Sequence, residues 1–135
     1  MANNLRIQKG YIALISILII SGITLLIAIS ASLFGISESD MGLAKNQSSK
    51  AFYLVTLCTE DALMKLKDDL NYQGNETLTF DEGSCDILPL EGNGNQDRVI
   101  KTIGTAYNQT RKIKIEINRV NPKMEISSWQ EVVSF

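Results

Sequence analysis

Residues 10–37 read GYIALISILIISGITLLIAISASLFGIS, 28 consecutive positions without a charge between Lys9 and Glu38. A bilayer core takes about 20 apolar residues in a helix, each rising roughly 1.5 Å. The run meets that length with a turn or two to spare. A lone segment crossing lipid must satisfy every backbone N–H and C=O within itself, and only a helix does so. Residues 11–36 therefore read as a membrane-spanning helix, with Ile12 to Phe34 as its body.

A secretory signal peptide has a shorter apolar run, about 7–15 residues, before a small-x-small cleavage site. Ala28, Ser30, Ala31 and Ser32 supply small residues, so a cut near Ser32 is the alternative reading. Arg6 and Lys9 precede the run, while Glu38 and Asp40 follow it with no base before Lys45. The positive-inside rule then leaves the N-terminus in the cytoplasm and puts the chain after Ser37 outside.

The junction Arg6-Ile7-Gln8-Lys9-Gly10-Tyr11-Ile12-Ala13-Leu14-Ile15 resembles the class III leader of type IV pilins and type II secretion pseudopilins. It has that family's short basic leader, glycine, aromatic residue and long apolar helix. The resemblance implies cleavage by a prepilin peptidase between Gly10 and Tyr11, and methylation of the new N-terminus. Residues 1–10 are then a removable leader, and the freed helix can pass from bilayer to filament core. In one respect the chain departs from the pattern. Major pilins carry a glutamate four residues after the first aromatic, which pairs with the N-terminal amine of a neighbouring subunit. Ile15 stands there, which resembles K-type pseudopilins and PilX-like minor pilins, found at or near a filament tip. The resemblance further implies other pilin-like subunits, an inner-membrane assembly platform and membrane lipid as partners. Without it, the junction reads as a plain single-pass anchor displaying a small extracytoplasmic binding domain.

From residue 37 to 70 the pattern turns amphipathic. Ala51, Val55, Cys58, Ala62, Leu66 and Leu70 recur every three or four residues, with Phe52, Leu54 and Leu63 broadening the face. No proline interrupts Tyr11 to Leu70, so one helix runs throughout, with Gly35 and Gly42 as points where it can loosen and Gly74 as its stop. Residues 76–135 then read as an antiparallel sheet. Thr77 to Phe80 and Cys85 to Leu88 pair across a turn, and Glu91 to Asp97 is a polar loop. Arg98 to Tyr107 and Arg111 to Arg119 are strands joined through Asn108-Gln109-Thr110, and Met124 to Phe135 is a last edge strand. The fold class is α+β, a long helix on a small antiparallel meander, and residues 37–135 form the extracytoplasmic domain.

The net charge of −2 hides a division. Glu38 to Asp97 carries 4 bases and 12 acids, and Arg98 to Phe135 carries 7 bases and 3 acids. The two halves read as packing on each other, as complementary faces of stacked subunits, or as two solvated faces. The basic run Arg111, Lys112, Lys114 has one nearby aromatic, Tyr107, a poor match for nucleic-acid binding. Cys58 and Cys85, placed outside the cytoplasm, are expected to form a disulfide, worth roughly 3–4 kcal/mol for a 27-residue separation. The unbonded alternative is two buried thiols. The chain has no histidine and two cysteines, so neither a zinc set nor the commonest general base is available. No phosphate loop follows Gly92-Asn93-Gly94. No enzyme activity, cofactor or metal is expected. Asn46, Asn75 and Asn108 begin N-x-S/T triplets, which matter only where a glycosylation machinery reads them.

Overall fold

The computed structural model describes residues 2–135, with side chains from Gly10 onward. A helix, α1 (Ala2–Asp68), is followed by five strands: β1 (Glu76–Phe80), β2 (Gly83–Ile87), β3 (Gln96–Ala106), β4 (Gln109–Arg119) and β5 (Glu125–Glu131). Gly35 and Gly42 do not interrupt α1. By compactness the chain divides into two units, Met1–Gly42 and Leu43–Phe135.

In the first unit the large apolar side chains from Tyr11 to Ile36 stand exposed, from 39% at Ile15 to 73% at Phe34. Among the described residues, nothing within this unit covers them.

The second unit has its own core. Its sheet is antiparallel throughout, with strands in sequence order β1-β2-β3-β4-β5, a meander whose edges are β1 and β5. Ala51, Val55, Cys58, Ala62 and Leu66 are completely buried on one face of α1. Val55, Cys58, Ala62 and Leu66 form one cluster with Cys85 and Ile87 of β2, Ile100 of β3, and Ile113, Ile115 and Ile117 of β4. The period-2 alternation of β4 thus sends its three isoleucines to the helix and Lys112, Lys114 and Glu116 to the other face. Leu54 and Leu63 flank this core, whereas Phe52 lies 42% exposed and does not widen it.

The helix sits very close to β3 because the contact residues are small. A Cβ at Gly104 would stand 2.6 Å from the Ala51 carbonyl oxygen and 2.7 Å from the Val55 Cβ. One layer away, Thr59 Oγ1 donates to the Val55 carbonyl at 2.6 Å and lies 2.6 Å from Thr102 Oγ1. This satisfies two buried hydroxyls, which would otherwise be costly to desolvate. The Cys58–Cys85 disulfide links helix to β2 beside this seam, with Cα atoms 6.3 Å apart. Lys65 adds a peripheral tie, bridging Glu76 on β1 at 2.6 Å and Asp61 on α1 at 2.9 Å. Both carboxylates, Glu76 first, hold its ammonium pKa well above the ordinary lysine value.

Element boundaries differ from the sequence reading at the helix exit and at the turns. α1 stops at Asp68, with Lys65 and Lys67 in the last turn, where cations suit the carbonyl end of the helix dipole. The stop is local: Asp69 Oδ1 accepts from the Asn71 N–H at 2.8 Å. Gly74 is therefore no cap. It has φ +71, and a Cβ there would meet the Leu88 carbonyl at 2.5 Å, so it serves the approach of this loop to β2 and the segment after it. Gln96 and Asp97, read as loop, extend β3, and the β3–β4 connection contracts to Tyr107-Asn108, closed by the Ala106–Gln109 pair. Val132 to Phe135 lie beyond β5, with the Phe135 ring 5.5 Å from Lys112 Nζ and 5.8 Å from Lys101 Nζ.

Arg98, read only as the start of a strand, is fully buried and has no carboxylate among its hydrogen-bond partners. Its guanidinium donates to the carbonyls of Leu70 and Tyr72, both at 2.8 Å, and of Gly94 at 3.3 Å. It thereby fastens the helix exit and the β3 approach to one point. Burial lowers its pKa from the ordinary arginine value without neutralising it. Tyr72, at the same point, has a buried phenol that burial pushes up to about 12.

Two outcomes follow for the full chain in detergent, with unfolding reported by Trp129 fluorescence. Gly104→Val should destabilise the second unit by about 1–3 kcal/mol through overpacking, and a loss under about 0.5 kcal/mol would show that α1 is free to lift from β3. Arg98→Met should cost about 1–3 kcal/mol, because it strands buried carbonyls, and should speed hydrogen exchange across residues 69–75 before it affects β4. Unchanged exchange there would remove Arg98 from its fastening role.

Candidate functional site

The chain places its most specific chemistry in the first unit. Gly10 and Tyr11, the expected cleavage pair, lie within continuous helix, Tyr11 is 66% exposed, and a Cβ at Gly10 would meet nothing within 4 Å. Ile15 lies one turn further on, at 39% exposure. The bond after Gly10 is thus sterically open on its side-chain side, although helical backbone must unwind locally to enter any protease.

The helix from Gly10 is long and apolar enough to cross a membrane. Its polar atoms are arranged in a way lipid permits. Ser16, Thr24, Ser30 and Ser32 each donate to the carbonyl four residues earlier at 2.9 Å, and Ser21 donates to Leu18 at 3.0 Å. A hydroxyl bonded back into its own helix brings no unsatisfied donor into hydrocarbon. These serines and threonine are therefore compatible with a helix in lipid, and residues 10–37 carry no charge to offset.

In the second unit the structure brings together one expected pair, Cys58 and Cys85, now a buried disulfide. Glu60 and Asp61, near Cys58 in sequence, belong instead to an outer cleft of about 460 Å³. Leu57, Met64, Leu78 and Phe80 supply its apolar walls. Among the described residues, no three carboxylate or cysteine side chains converge as a metal set. The three N-x-S/T asparagines, Asn46, Asn75 and Asn108, are all exposed.

The charge division survives pairing, because the ion pairs form mostly within each half. Lys50 reaches Glu82 at 2.6 Å, Arg111 reaches Glu131 at 2.6 Å, and Lys114 reaches Glu116 at 2.7 Å. Lys101 pairs with Glu91 and Arg119 with Glu125. The pairing with Lys101 holds the Glu91 carboxyl below the usual range, and Glu116 holds the Lys114 pKa above its own. Four of these five pairs link segments within a half or neighbouring strands; only Lys101–Glu91 joins the acidic half to the basic one. Such exposed pairs contribute little each. What sequence reasoning missed is that Tyr107, read there as a strand end and as the aromatic near the basic run, is an exposed residue with φ +53 at the tip of the β3–β4 hairpin. The signal was its place in a connection of two residues, visible only once the strand register was known.

No protein-family model matches the chain, and no curated protein or solved structure matches it. Its architecture, a long apolar N-terminal helix followed by a small antiparallel sheet, is pilin-like and compatible with a single-pass membrane anchor.

Proposed function

We propose that the chain is a minor pilin-like or pseudopilin-like subunit of a type IV pilus or type II secretion-like filament, processed after Gly10 and assembled through its N-terminal helix. The observation that carries this reading is one unbroken helix serving two surroundings. Its first part exposes a charge-free apolar surface, and its second part is the core of a sheet domain closed by a disulfide. A subunit that must leave a bilayer and enter a filament needs that construction. The apolar surface is indifferent to whether lipid or neighbouring helices cover it, while the disulfide-closed domain stays folded through the transfer.

The leader residues support the same reading. The polar leader, with Arg6 and Lys9, would anchor the helix on the cytoplasmic side, and its removal lets the helix leave. The intact mass of the protein from native membranes should match a chain beginning at an N-methylated Tyr11. A retained leader would favour a static anchor that displays the second unit, and a cut near Ser32 would favour secretion.

Ile15 bears on position in the filament. An unpaired charge buried in a bundle of apolar helices costs several kcal/mol, so a glutamate there is tolerated only beside a partner amine. With Ile15 the helix incurs no such cost and also gives up the pairing that sets register between successive copies. We place the subunit at an initiating or tip position, with few copies. Quantitative mass spectrometry of sheared filaments should find it far below the main subunit. Equal or greater abundance along the shaft would overturn the tip placement and leave register to apolar packing.

A further inference from the structure

Tyr107 breaks a local rule without a return in packing. It is the first residue of a two-residue hairpin connection, with φ +53, at a position where glycine avoids the clash that other residues meet. A side chain with a Cβ is strained there. The ring is 56% exposed, so the core does not compensate. Lys50 Nζ lies 5.6 Å from the ring centroid, and the ring shares a cleft of about 240 Å³ with Leu43 and Lys50. Leu43 is 60% exposed, and Val133, which lines a neighbouring cleft with Gln109 and Arg111, is 96% exposed.

All of these residues belong to the end of the second unit where the chain enters it, since Leu43 is that unit's first residue. Leu43 is six positions after Ser37, the last of the uncharged run, so the chain itself keeps the two within about 20 Å. Covalent connection therefore holds this end close to wherever the run stops. Glu82 is answered by Lys50 and Glu131 by Arg111, which leaves Asp81, with Glu38 and Asp40 of the entering chain, against Lys45 and Lys112. The surface is close to neutral and tipped with an aromatic.

We propose that this end of the unit, with Tyr107 at its tip, is a membrane-surface contact that seats in the lipid headgroup layer. The proposal rests on the reading of residues 11–36 as a membrane span. Tyrosine suits a headgroup layer because its ring is apolar and its hydroxyl wet, and the lysine stems lie along apolar surface while their ammonium groups reach phosphate. Tethering makes even weak contacts effective by raising the local concentration of the surface. Because the charges nearly cancel, the contact depends on the aromatic tip and persists as salt rises.

The test uses the full chain, reconstituted in phosphatidylcholine vesicles whose acyl chains are brominated near the headgroup, with Trp129→Phe as the background. Reporters introduced by Tyr107→Trp, or separately by the exposed-helix change Leu43→Trp, should lose most of their emission relative to unbrominated vesicles. The native Trp129, in the otherwise unaltered chain, should keep its own. Adding Tyr107→Gly, which suits the left-handed backbone and should fold normally, should restore emission from the Leu43→Trp reporter. If the reporters at 107 and 43 stay bright while one introduced by Leu33→Trp is quenched, the span stands and the surface contact is overturned. If the Leu33→Trp reporter also stays bright, the span reading fails and the proposal falls with it. Protection of Tyr107 only in assembled filaments, with no quenching in vesicles, would assign the tip to a protein neighbour and overturn the lipid contact.

Discussion

The close approach of α1 to β3 is the contact on which the second unit depends. A helix backbone reaches a strand backbone this closely only where the strand lacks a side chain, and Gly104, set against the backbone of Ala51 and Val55, supplies that condition. Once the helix is seated there, Cys58 comes within bonding reach of Cys85, and the Thr59 and Thr102 hydroxyls meet. The isoleucines of β4 then close the core beneath it. A covalent link beside the seam adds to this packing by restricting the unfolded chain, worth roughly 3–4 kcal/mol for a loop of this length.

The same helix carries a second constraint in its first part. There, the backbone bonds and the hydroxyls of Ser16, Ser21, Thr24, Ser30 and Ser32 are satisfied within the helix itself, and the large side chains around it are apolar. A helix of that kind needs an apolar surrounding but does not specify which one. This indifference suits a subunit that exchanges lipid for other helices, and it fits a permanent anchor equally well. The distinction lies in the bond after Gly10 and not in the shape of the helix.

Polar groups mark where the fold is held and where it is spent on something else. Arg98 is a buried cation answered by carbonyls, which makes the helix exit and the segment before β3 one rigid corner. Tyr107, at the end where the chain enters the unit, accepts backbone strain and remains exposed. One residue stabilises the unit at the cost of desolvation, while the other accepts strain without burial in the core, its ring 5.6 Å from the Lys50 ammonium.

The amino-acid order by itself determined the uncharged span, the helical face from Ala51 to Leu66 and the alternation of β4, because each is a periodic pattern that burial reads locally. It also showed that a disulfide between Cys58 and Cys85 was available, there being no other cysteines. Only the tertiary structure decided that Phe52 stays outside the core, that Gly74 makes room for the Leu88 carbonyl and does not cap the helix, and that Arg98 is buried. It also decided that the β3–β4 connection narrows to two residues and forces Tyr107 into the left-handed region. Each of these depends on which distant backbone lies opposite. Strand register and the depth at which a helix seats on a sheet are collective quantities, set by close packing across the whole unit, and no local window of sequence contains them.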